Sequence, residues 1–133
     1  MYLCYISKRL KHRYLGVFGN RIDTLVHAAE QHKSVSFPRP SYDGRFLCYT
    51  LSDYGQFSIW HHEADLWLLD LTTGESRIME EANSEDTESF HNWSTSSRWL
   101  VLSSRRDDGR KASRIINDDT RKNFGVRKET ASE

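Results

Sequence analysis

Three short stretches hold most of the side chains that could do chemistry. "HHEAD" at 61–65 groups His61, His62, Glu63 and Asp65. "EEANSEDTE" at 80–88 is strongly acidic and includes Glu85 and Asp86. "RRDD" at 105–108 sets Arg105 and Arg106 beside Asp107. Imidazole and carboxylate together make a metal-ligand set. Adjacent residues of an extended chain point to opposite sides, however, so His61 and His62 would need a bulge to face one ion. No metal site is assigned. A carboxylate pair for glycoside hydrolysis needs a defined separation across a cleft, and the acidic run gives no sign of one. A nucleophilic site needs a strained elbow such as GxSxG with a positioned His, and the sequence has none. Catalytic residues and cofactors are therefore not expected. An inter-loop salt-bridge set is the simplest use of the Arg pair beside the acidic run. Bidentate docking of an acidic partner is the functional alternative. Trp60, next to the His pair, is the aromatic most suited to a binding face.

The elements that must position these residues are visible as a repeat. "SFPRPSYDGRFLCYT" at 36–50 aligns without a gap to "SFHNWSTSSRWLVLS" at 89–103. Ser36 falls on Ser89, Phe37 on Phe90, Ser41 on Ser94 and Leu47 on Leu100. Each copy reads as a strand, a tight turn and a second strand. Asp43-Gly44 supplies the positive-φ tolerance that a hairpin needs. The other copy has Ser96-Ser97 there, so the glycine is not a requirement of the unit. "DLWLLDL", the turn "TTGE" and "SRIME" then add two more strands. The unit is a meander of strands a to d. The same register runs backwards, with Leu25 and Val26 on Ile78 and Met79. "DTLVH" is then an earlier strand d and "YLCYIS" a strand c, joined by a long basic connection.

A four-stranded antiparallel meander repeated at about 40–50 residues marks a propeller blade. The expected fold is all-β: a β-propeller fragment of about two blades, one complete and two partial. Residues 1–35 form a partial blade (strands c and d), 36–81 the complete blade, and 82–109 a partial blade (strands a and b). Residues 110–133 are polar and read as a disordered tail, with a poorly formed strand c at 114–116 as the alternative. Alternate turns of a meander lie at opposite ends. The turns at Asp43-Gly44 and Thr73-Gly74 share one end. The loops at 52–64 and 80–88, and the loop after 104, share the other. The candidate binding face is thus Trp60, His61, His62, Glu63, Asp65, Glu85, Asp86, Arg105, Arg106 and Asp107.

Composition narrows the partners. The 133 residues carry 19 basic and 19 acidic side chains, so no net charge draws the chain to nucleic acid or anionic lipid. No apolar run of about 18 residues exists, so membrane insertion is not expected. The N-terminus lacks the apolar core of a signal peptide. Cys4 and Cys48 form no CxxC pair and read as small buried hydrophobes. The four Trp are read first as core or blade-to-blade packing.

"PSYDGRFLCYT" is similar to the "SPDGKxIAFxS" core of TolB-like β-propeller repeats. "DLWLLDLTTGESR" is similar to their "IYxxDxxTGExxxLT" continuation. The resemblance is closer to large TolB-like propellers of Bacteroidetes-type bacteria, near their C-termini. It covers residues 25–109 and fails after Gly109. It implies a non-enzymatic scaffold for contacts with another protein of the cell envelope, in the periplasm. The rival class is the propeller portion of a hydrolase, either a prolyl-oligopeptidase-type peptidase or a carbohydrate-processing enzyme. About two blades cannot close a ring, so self-association through open edge strands is also expected.

Overall fold

The computed structural model describes residues 5–6, 13–18, 21–53, 58, 61–106, 112–117 and 125–127, with side chains for 24–53, 58 and 61–106. Three antiparallel sheets follow one another along the chain. The first holds β1 (Tyr5–Ile6), β2 (Arg13–Phe18) and β3 (Arg21–His27) in that order. A 3₁₀ turn, Ala28–Gln31, leads into the second. That sheet is the meander β4 (Ser34–Pro40), β5 (Phe46–Ser52), β6 (Asp65–Asp70) and β7 (Ser76–Ile78). The third is β8 (Glu88–Trp93), β9 (Trp99–Ser104), β10 (Ala112–Asn117) and β11 (Gly125–Arg127). No helix among the described residues is long and apolar enough to cross a membrane.

The middle sheet is buried on both faces, and its period of two decides which residue goes where. Leu47 pairs with Leu69 and Tyr49 with Trp67. These side chains, with Leu51, join Val26 and Ala28 in one apolar cluster. Cys48 pairs with Leu68 and Thr50 with Leu66. Phe46, Cys48, Leu66 and Leu68 join Met79, Trp93, Leu100 and Leu102 in a second cluster. Strict alternation thus sends odd positions of β5 towards the first sheet and even positions towards the third. Each fully buried Leu contributes about 2 kcal/mol. Polar bonds also cross between the third sheet and the second. The Trp93 indole N–H donates to the Arg39 carbonyl at 2.9 Å. His91 Nε2 lies 3.2 Å from the Cys48 carbonyl.

The turns at the two hairpins are copies of each other. Ser41 N–H donates to the Phe46 carbonyl at 2.8 Å, and Gly44 N–H to the Ser41 carbonyl at 3.0 Å. Ser94 N–H donates to Trp99 at 2.8 Å, and Ser97 N–H to Ser94 at 2.9 Å. Gly44 has φ 73 and Ser97 has φ 57. The first strand of each hairpin also carries a bulge, with register lost between Ser36 and Arg39 and between Ser89 and Asn92. Phe37 and Phe90 sit in those bulges, both with φ 50, and their rings meet at 5.6 Å between centroids.

Three expectations are corrected. The basic connection after "YLCYIS" contains a strand, β2, so the first sheet has three strands rather than two. "RYLGVF" is rich in strand formers, and the flanking Lys and Arg concealed it. Of "YLCYIS", the described residues Tyr5–Ile6 form β1, which in the order of the sheet precedes that strand c, and the rest lies outside the described residues. The third correction concerns the segment expected as a disordered tail. Ala112–Asn117 pairs with β9 along its whole length, and Gly125–Arg127 pairs with β10. An open strand edge offers backbone donors and acceptors whatever side chains the next strand carries. Cys48 is buried and unbridged, while Cys4 lies outside the described residues.

Candidate functional site

Parity of the meander places three segments at one end of the sheets, and hydrogen bonds tie them there. The segment after β7 folds back on β6. Asn83 Oδ1 accepts from Leu66 N–H at 2.8 Å, and Asn83 Nδ2 donates to the Leu66 carbonyl at 3.0 Å. One side-chain amide thereby does for Leu66 what a neighbouring strand would do. Thr87 Oγ1 donates to the Ser58 carbonyl at 3.1 Å, holding the loop after β5 against the start of β8. Ser58 Oγ in turn lies 2.7 Å from Ser36 Oγ on β4.

Glu88 is the centre of this end. Its side chain is fully buried, and a buried carboxylate needs hydrogen-bond donors. It has them. Ser84 N–H donates at 3.1 Å and Ser84 Oγ at 2.7 Å. Ser104 Oγ donates at 2.8 Å and Arg106 Nη2 at 3.3 Å. Arg106 also donates to Ser104 Oγ and to the Ala82 carbonyl. One guanidinium therefore joins the end of β9 to the segment before β8. A lesser clasp occupies the same place in the middle sheet, where Lys33 pairs with Asp53 at the open end of the β4–β5 hairpin.

The remaining candidates form an outer rim. His61 Nδ1 lies 2.9 Å from Glu63 Oε1, and His62 Nδ1 lies 3.0 Å from Asp86 Oδ1. The two imidazoles thus take different partners, from a turn that Ala64 N–H closes by donating to the His61 carbonyl at 3.1 Å rather than from an extended segment. The His62–Asp86 pair bridges the loop before β6 and the loop before β8. Burial works against the Glu63 carboxylate, but hydrogen bonds from its own backbone N–H and from His61 hold its pKa below the usual value. Asp65 is raised, first by burial and then by the charge of Glu88, with Lys33 opposing. Glu85 is exposed and Arg105 half-buried. Trp60 and Asp107 lie outside the described residues. Among the described residues no three His, Cys, Asp or Glu side chains are grouped to hold a metal ion.

Chemically, this end offers paired charges rather than a reacting centre. The hydroxyls at hydrogen-bond distance of a carboxylate here, Ser84 Oγ and Ser104 Oγ on Glu88, belong to the bond set around that buried side chain, and the His62–Asp86 pair stands nearer solvent. Sequence reasoning counted Arg106 among the loop residues but overlooked Glu88 and Asn83. A signal for Glu88 was present. The repeat sets it on Val35, an apolar position, so a carboxylate there had to find partners.

Successive four-stranded meanders, packed face to face, define a portion of a β-propeller. No family model matches the chain, and no curated protein matches it. Among solved structures it is similar to TolB from Acinetobacter baumannii, with a TM-score of 0.60 and 14% identity. The match covers 94% of this chain and 29% of that one. The fold is TolB-like, and the chain spans 29% of the length of that TolB structure.

Proposed function

We propose that the chain is a non-enzymatic propeller scaffold that binds another protein of the bacterial cell envelope, on the periplasmic side. The observation that carries this reading is the His62–Asp86 bridge beside the buried Glu88–Arg106 pair. Together they fix three loops into one surface of mixed charge. Loops held by a rigid scaffold are where binding residues concentrate. The TolB-like fold supports the scaffold class, though fold alone does not assign a partner.

Capture from an envelope extract tests it, with Glu85→Lys/His62→Glu as the comparison. Both side chains are exposed, so the fold should survive. The expected result is one envelope protein retained by the parent chain and bound about tenfold or more weakly by the double variant. Equal retention would move the site off this end. Hydrolysis of a peptide or glycoside panel by the parent chain, lost on substituting a loop residue, would replace the scaffold reading with the hydrolase one.

A further inference from the structure

We propose that a water molecule is sealed between the second and third sheets at the bulge of β4, where it joins Thr50 of one sheet to His91 of the other. The bulge makes the site. Register is lost between Ser36 and Arg39, so Phe37 and Pro38 have no ladder partner on β5. Their carbonyls keep a bonding capacity that the ladder does not use. The groups bordering the gap are polar and buried. Thr50 pairs with Ser36, just before the bulge, and Cys48 pairs with Arg39, just after it. Two residues apart on β5, Thr50 and Cys48 face the same way, and Cys48 belongs to the cluster shared with the third sheet. His91 reaches this place from β8, with Nε2 3.2 Å from the Cys48 carbonyl.

Two atoms here need a partner. Thr50 Oγ1 and His91 Nδ1 are buried, and neither has a hydrogen-bond partner among the described residues. Both residues are enclosed, Thr50 at 0% and His91 at 2% exposure. The bond already made fixes the tautomer. A carbonyl only accepts, so Nε2 carries the proton and Nδ1 is left as an acceptor. Burial keeps the ring neutral at pH 7, with a pKa lowered to about 4. The Phe37 carbonyl lies close enough to the ring to oppose that shift, though not in bonding geometry with Nδ1. It is a second acceptor at the same place. Buried polar atoms left unpaired cost free energy, and a ring nitrogen, a carbonyl and a hydroxyl together match one water. The water donates one proton to Nδ1 and the other to the Phe37 carbonyl, and it accepts from Thr50 Oγ1. All three groups are then satisfied, and the bridge fixes the spacing of the two sheets.

This rests on the packing of the second and third sheets and not on the loop-end partner, so the two can fail separately. Oxygen-17 relaxation dispersion on the whole chain is the test, since it counts waters held inside a protein. Thr50→Val, of nearly the same shape, is the variant. It should hold one water fewer than the parent, and its denaturation midpoint should fall. An unchanged count overturns the proposal. So does a higher midpoint, because removing an unpaired hydroxyl relieves a cost and removing a bridged one does not. If Thr50→Val fails to fold, the parent decides. The His91 ring proton beside Nδ1 should show a rotating-frame cross-peak to water, and its absence overturns the site.

Discussion

Gly74 turns the chain between β6 and β7 with φ +78, and a Cβ built on it would meet nothing within 4 Å. Its glycine is needed for the backbone and not for space. Gly74→Ala should therefore cost about 1 kcal/mol, read as a lower denaturation midpoint at unchanged slope. A cost several times larger would mean a hidden clash. Glu88 is the opposite case, a side chain whose partners matter more than its backbone. Arg106→Ala would strand a fully buried carboxylate, and a loss of about 3–5 kcal/mol is expected in the same measurement. A change below 1 kcal/mol would show that the serines suffice. At this scale the sequence was partly legible. Asp43-Gly44 announced its turn. Ser97 in the same conformation did not, because serine carries no such preference. Glu88 was legible only by setting the two repeats side by side.

Strand elements show as continuous apolar runs where both faces are buried. β5 and β6 could be read directly for that reason. β2 and β10 could not, since charged and polar residues crowd "KHRYLGVF" and "RKASRIIN". Strand formation there draws on an available neighbouring edge, a property of the assembled sheet. The paired bulges were also hidden. A left-handed Phe costs about 1–2 kcal/mol, and Phe37 and Phe90 offset part of this by ring contact across the two sheets. The residue after Phe90 carries the consequence. His91 is buried, and burial, only partly offset by its bond to the Cys48 carbonyl, lowers its pKa from 6.5 to about 4. The unfolded chain takes up that proton near pH 6.5 and the folded chain only near pH 4. Between those values the unfolded state binds more protons, so stability falls as pH drops. The His91 contribution should be a loss of about 2 kcal/mol between pH 7 and pH 5, from denaturant melts. His91→Gln should flatten that slope. An equal slope in the variant would assign the effect to other groups.

For the whole molecule, the face-to-face order of the sheets was expected from the repeat, and their likeness to TolB agrees with it. What no single residue announced is that the third sheet grows past β9, by Ala112–Asn117 on β9 and Gly125–Arg127 on β10. If open strand edges pair between copies, the melting temperature of the parent should rise with protein concentration. A parent melting point independent of concentration would count against any self-association.

The two clasps at the loop end have a bearing on how such a chain finds its native pairing. Similar hairpins in one polypeptide can exchange strands, β4 with β9 or β8 with β5, at little cost in backbone bonding. The clasps are built with reversed signs. The strand-b side carries Asp53 in the middle sheet and Arg106, at the matching repeat position, in the third. An exchange would set Lys33 against Arg106 and bring Asp53 to the buried carboxylate of Glu88. Like charges would meet in both wrong pairings, and opposite charges meet in both right ones. The ion pairs would then serve as labels that tell similar blades apart while the chain is still choosing between them.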